Sequence, residues 1–223
     1  MVKALVMGAA GELGSHFVTG LLERGIPVTA VSRSPLKDEV ADALMAAPAG
    51  SAHQLVVTYL DVVFDGRYDY VFFTTGVFQA SRLVSLCEGD MRTEIEENVT
   101  EPLILTSRLL RPQSAPHRQR TDYIYIGSTA AYSGFSDMSV YCASKFALRG
   151  FVESMNAEYS GTGIRFWLVS MGTMNTPMGR TYAGSIGRRI ETLIDPGYVA
   201  HRVLSSVLDG GDAYEPEMMV RMR

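Results

Sequence analysis

Tyr141 and Lys145 stand four residues apart, and Ser128 lies 13 residues before the tyrosine. On a helix, residues at i and i+4 share a face. A nearby ammonium lowers a phenol from its reference pKa of ~10 and readies it for proton transfer. A serine hydroxyl at a strand end can hydrogen-bond an oxygen on which charge develops. The three side chains together predict acid/base chemistry at an oxygen. With 11 tyrosines in the chain, a Tyr/Lys pair at this spacing is a weak signal by itself. The upstream serine strengthens it, and so does the scarcity of lysine: only Lys3, Lys37 and Lys145 occur, where arginine is the usual cation. Arginine cannot be tuned as lysine can.

Asn98 joins this group through Pro102, four residues on. Proline has no N–H, so the Asn98 carbonyl loses its helical donor and the helix should kink. A carbonyl freed in this way can hold a water near Lys145.

A second cluster opens the chain. Residues 4–7 read as a short apolar strand that runs into Gly8, Gly11, Glu12, Leu13 and Gly14, and a helix follows. Glycines between a first strand and a first helix let the backbone approach a pyrophosphate, whose charge sits on the helix N-terminus. Glu12 must point away from such a phosphate. About 20 residues on, an NAD site places an acidic residue for the ribose 2′-hydroxyl. Arg33 stands there instead, and a guanidinium suits a 2′-phosphate. The cofactor expectation is therefore NADP(H) in preference to NAD(H), with NAD(H) not excluded.

The elements that position these residues alternate. After the first strand, apolar residues at i+4 spacing (Leu13, Phe17, Leu21 and Val18, Leu22) predict a helix that stops at Gly25. Strands are predicted over residues 28–31, 54–60, 70–73, 123–126 and 164–169, with a last one at 218–221. Helices are predicted over about 38–46, 90–110 and 138–159. Near-continuous apolar strands alternating with helices mean a parallel sheet covered on both faces. The fold class is α/β: a Rossmann-type doubly wound parallel sheet of about seven strands. Residues 1–223 read as one domain, with 111–120 as a surface loop and a short substrate lid at about 177–195.

Composition narrows the function. A net charge of −4 with no basic block argues against nucleic acid or an anionic membrane as partner. No window approaches the length of a membrane span, and residues 1–7 are too short for a secretory signal. Cys87 and Cys142 form no disulfide pattern. A cytoplasmic protein is expected. His16, His53, His117 and His201 lack ligand spacing, so no metal is expected. Glu94, Glu96 and Glu97 read as a solvated helix face. Met171, Met174 and Met178 flank the presumed substrate side, and Arg180, Arg188 and Arg189 fall in the lid segment.

Over nearly its whole length the chain resembles the short-chain dehydrogenase/reductase family, in its small single-domain branch. Gly8–Gly14 is similar to that family's glycine loop, with Glu12 in place of the middle glycine and Gly11 giving the spacing of larger members. Asp61 matches the residue after strand three that touches adenine, followed by Val62. Thr74, Thr75 and Gly76 stand where Asn-Ala-Gly is usual, and Met171 replaces a proline. Asn98, Ser128, Tyr141 and Lys145 match the catalytic tetrad. The resemblance implies that Tyr141 is the acid/base and Ser128 binds the substrate oxygen. Lys145 would be ribose ligand and pKa tuner, and Asn98 would complete a water relay. Thr176 would meet the nicotinamide carboxamide. It implies NAD(P)H-dependent interconversion of a small carbonyl and an alcohol, in a homodimer or homotetramer. Two other readings stand beside it: a non-catalytic NADP-binding redox sensor, and an epimerase or dehydratase that oxidises its substrate transiently. The second would need a C-terminal substrate domain, for which the 47 residues after Thr176 are too few.

Overall fold

The computed structural model describes residues 2–48, 52–56, 61–62, 64, 67–111, 120–210 and 214–221. In chain order the main elements are β1 (Ala4–Met7), α1 (Glu12–Leu22), β2 (Val28–Ser32), α2 (Asp38–Ala46), β3 (Ala52–Val56) and β4 (Tyr70–Phe73). Then follow α3 (Glu88–Ile95), α4 (Glu101–Leu110), β5 (Thr121–Ile126), α5 (Ser139–Glu158), β6 (Ile164–Met171), α6 (Pro177–Ser185), α7 (Pro196–Leu204) and β7 (Glu217–Val220). The strands form one seven-stranded sheet in the order β3-β2-β1-β4-β5-β6-β7. Every pairing is parallel.

Alternation along each strand makes two cores. Ala4 and Val6 of β1 face Phe17 and Leu21 of α1 and Val199 and Val203 of α7. Leu5 and Met7 point the other way, toward Leu105 and Leu109 of α4 and Leu148 and Val152 of α5. Both faces of a parallel sheet are thus covered, as its apolar strands require. At the far end of the sheet from the glycine loop, buried Asp122 accepts bonds from Arg120, Arg165 and the Trp167 indole. A buried carboxylate persists only when it is paired in this way.

The expected elements are found with small shifts of their ends. The third strand begins at Ala52, and residues 57–60 of its expected span lie outside the described residues. So do 112–119 of the expected surface loop, and His117 with them. The helix expected over 90–110 is not uniform. Between α3 and α4 the chain makes a π-helical turn over Glu96–Thr100, where the Glu101 N–H reaches back to the Glu96 carbonyl. This wide turn leads into α4, whose second residue, Pro102, has no N–H to offer the Asn98 carbonyl.

Candidate active site

The loops at the C-terminal ends of β1, β4, β5 and β6 converge on a cavity of about 520 Å³. That is where an open parallel α/β sheet binds ligands. The glycine loop forms one wall. Gly8 has φ +88°, and a Cβ on it would lie 2.6 Å from Thr74 Oγ1. A Cβ on Gly14 would lie 2.2 Å from the Gly8 carbonyl oxygen. Only glycine fits at either place. Gly11 caps α1 without a side chain, so the first N–H groups of that helix stay open toward the cavity. This cradle fits a dinucleotide pyrophosphate.

Glu12, in the first turn of α1, is turned to Lys37 Nζ at 2.5 Å. That hydrogen bond holds its carboxyl below the usual range, against the opposing effect of burial. Its charge is thereby matched and directed away from the open N–H groups. Lys37 lines the cavity and had no signal in the sequence.

Ser128 follows β5, and its hydroxyl accepts the Ala130 N–H at 3.1 Å, which leaves its own proton to donate. Tyr141 sits in the first turn of α5 beside Ser128, with Lys145 one turn on. Lys145 is 5% exposed, donates to the Ile126 carbonyl at 3.0 Å, and lies 5.5 Å from the Tyr141 ring centre. Burial pulls its ammonium down to about 8. The tyrosine departs from expectation. Burial pushes Tyr141 up to about 12, and the bond with Ser128 opposes this only in part. Lysine was expected to lower it, but here the ammonium is tied to a carbonyl and desolvation dominates.

Asn98, 1% exposed, faces inward from the π turn. Its Oδ1 accepts the Val77 N–H at 2.8 Å, and its Nδ2 donates to the Val77 carbonyl and to Ser144 Oγ. It also limits Gly76, where a Cβ would come within 2.9 Å of Asn98 Oδ1. Glu94, one turn earlier, corrects the reading of a solvated charge run. It is buried, and Glu97 pairs with Arg33. Only Glu96 of the three is exposed. The i,i+4 relation between Glu94 and inward-facing Asn98 was the available signal.

Gly11, Glu12, Leu13, Gly14, Gly76, Ser128, Tyr141, Lys145 and Thr176 all line this cavity, and Gly8 and Asn98 stand directly behind its wall. Thr176 caps α6 by accepting the Gly179 N–H. Arg33, Asp61 and Val62 do not line it. Arg33 is bound to Glu97 by two bonds of 2.7 Å, Asp61 is exposed, and Val62 is packed in the core. The remaining wall is apolar. Phe78 packs edge-on against Tyr141 at 4.8 Å and Tyr182 at 5.2 Å, and Met138, Met171, Met174 and Met178 complete it. Of the three arginines in the segment expected to form a lid, Arg188 reaches the cavity; Arg180 binds Asn175, and Arg189 pairs with Glu191. Among the described residues, no group of three or more side chains could hold a metal, and no helix is long and apolar enough to cross a membrane.

Comparison with known proteins agrees with this architecture. An uncharacterized short-chain type dehydrogenase/reductase of Sinorhizobium fredii is 25% identical over 221 residues, 98% of this chain and 82% of that protein. A variant of actinorhodin polyketide ketoreductase, solved with NADPH, superposes with a TM-score of 0.83 at 21% identity, covering 98% of this chain and 95% of that one. A 4-hydroxyisoleucine dehydrogenase mutant, solved with NADH and succinate, gives 0.83 at 15% identity, covering 98% and 96%. These two show the shared fold. Residues 2–185 match the family described as short chain dehydrogenase, and the chain belongs to that family of oxidoreductases, which use a nicotinamide cofactor to interconvert carbonyls and alcohols.

Proposed function

We propose that the chain is an NADP(H)-preferring carbonyl reductase working in the cytoplasm, with Tyr141 as proton donor. The observation that carries this reading is the placement of Tyr141 on the cavity wall beside Ser128 and one helical turn before Lys145, where burial favours the protonated phenol. A phenol that keeps its proton at neutral pH suits donation, which is the reductive direction. The nicotinamide, when bound, supplies a hydride to the carbonyl carbon. Ser128 donates its hydroxyl proton as a hydrogen bond to the carbonyl oxygen when substrate is bound. Tyr141 transfers its own proton to that oxygen, so one hydride and one proton give the alcohol. Lys145 stabilises the phenolate left behind, and Asn98, whose carbonyl Pro102 cannot serve as donor, ends a water route by which Tyr141 regains a proton. The Phe78, Met138 and Tyr182 wall favours an apolar carbonyl compound.

The test is to follow NADPH consumption against a panel of aliphatic and aromatic ketones and aldehydes. Turnover is expected with apolar members. Tight NADPH binding without turnover of any member would favour the redox sensor instead.

Cofactor preference has its own test. Arg33 stands where a 2′-phosphate reader belongs, but Glu97 already neutralises its guanidinium. A modest preference for NADPH is therefore expected, about tenfold in Kd. Arg33→Asp should reverse it, because a carboxylate repels phosphate and accepts the ribose hydroxyl. Glu97→Gln should widen it by removing the carboxylate that pairs with the arginine. Equal Kd values for NADPH and NADH in the unaltered protein would remove Arg33 from the cofactor site.

A further inference from the structure

Glu94 is 3% exposed, and its Oε1 accepts the Gln79 N–H at 3.3 Å. One turn on, Asn98 holds both backbone groups of Val77. The two side chains thus lace the segment after β4 to the α3 helix and its π turn. Between their bonds lies Phe78, the ring packed on Tyr141 and Tyr182. A buried carboxylate is costly unless compensated, and one long bond from a neutral amide compensates little. α3 packs against α5, whose inward face offers a cation, Lys145. Among the described residues, the hydrogen-bond acceptor found for that lysine is the neutral Ile126 carbonyl.

We propose that Glu94 is the buried counter-charge of Lys145, keeping the ammonium charged beside Tyr141 while it helps fix the segment that carries Phe78. The electrostatic relation concerns Lys145 itself; its effect on turnover rests on the reading of Tyr141 and Lys145 as the acid/base pair.

The surrounding charges agree. Burial lowers Lys145, and Glu94 is the charge that opposes this. Burial raises Glu94, with the Gln79 N–H and Lys145 opposing. Glu94 also raises Tyr141. The titratable groups of α5 concerned are therefore Lys145 and Tyr141, with Cys142 also acting on the phenol, and the segment after β4 presents a neutral amide. On the helix itself, Glu88, Asp90 and Glu96 are exposed, and Glu97 is turned to Arg33. Removing the Glu94 charge must lower Lys145 and Tyr141 together, so both effects move a pH profile the same way.

Lys145 is one of three lysines, so its ε-carbon can be followed by NMR on lysine-labelled protein and assigned by its loss in Lys145→Met. Glu94→Gln keeps an acceptor for the Gln79 N–H and removes the charge. It should lower the Lys145 midpoint by about one pH unit and leave Lys3 and Lys37 unmoved. Glu94→Asp, with the charge on a shorter arm, should fall between. The alkaline limb of carbonyl reduction should move to lower pH by a similar amount. A Lys145 shift below about 0.2 unit in folded Glu94→Gln would overturn the proposal. A shifted midpoint with an unmoved pH–rate profile would leave the counter-charge in place and remove Lys145 from the chemistry. Should the glutamate variants not fold, the reciprocal experiment decides: Lys145→Met must raise the Glu94 carboxyl midpoint, and an unchanged midpoint refutes the pairing.

Discussion

Tyr141→Phe will slow carbonyl reduction about 10³-fold while NADPH binds as to the parent protein. The ring is retained, so its edge-on packing with Phe78 survives, and only the hydroxyl is lost. That hydroxyl is the proposed proton donor and the partner of Ser128. Tyr141 combines an O–H proton with the Lys145 ammonium 5.5 Å from its ring centre. Cys142 is buried in the cluster behind Phe78, and Tyr182 lies on α6 as the other ring packed on Phe78. Substitute donors would therefore have to come from water, with slower transfer. The measurement is kcat together with a fluorescence titration of NADPH. A variant retaining kcat within about threefold would exclude Tyr141 as the acid.

Gly14→Ala carries the second large effect. The added methyl would meet the Gly8 carbonyl carbon at 2.8 Å and its oxygen closer still. Both are backbone atoms and cannot swing aside, and the same carbonyl accepts the Gly11 N–H at 2.9 Å. The start of α1 must therefore move off β1, which spoils the aim of its open N–H groups. Overpacking of this kind costs about 1–3 kcal/mol, so Tm should fall by about 5–10 °C. NADPH affinity should fall further, by about 100-fold, because the pyrophosphate loses its aligned donors. Gly150→Ala is the matched control. Gly150 lies exposed in α5, where a Cβ meets nothing within 4 Å. There alanine should stabilise by up to about 1 kcal/mol. Equal melting and cofactor titrations for Gly14→Ala and the parent would show that the loop can open without harm.

Most of the fold was legible because its signals are periodic. The apolar strands and the i+4 stripe of α1 give β1, α1 and the loop between them directly, and strand–helix alternation gives a covered parallel sheet. That Ser128, Tyr141 and Lys145 would line one cavity was legible because one strand end and one helix carry them. What stayed hidden depends on contacts between distant segments. Glu97 finds Arg33 across 64 positions, and Lys37 finds Glu12 across 25. Neither pair leaves a local pattern, although together they neutralise two cations on which a cofactor argument would lean. Glu94 was hidden for a different reason. Three acids in four positions resemble a wet face, yet a helix distributes those positions around its axis, and one of them points inward. The direction of the Tyr141 shift was also out of reach, since it turns on how deeply the phenol is buried and where the Lys145 ammonium points.

The methionine wall has a consequence for how the protein ages. Met178 is 43% exposed at the mouth of the cavity, whereas Met171 behind it is almost wholly buried. A peroxide arriving from solvent meets Met178 first. Sulfoxide formation there would turn a soft apolar side chain into a polar, stiffer one. The entrance would become wetter while the proton-transfer groups stayed chemically intact. Old or oxidatively stressed preparations should thus lose their grip on apolar substrates before they lose intrinsic turnover, and a reductant that reverses the sulfoxide should restore it.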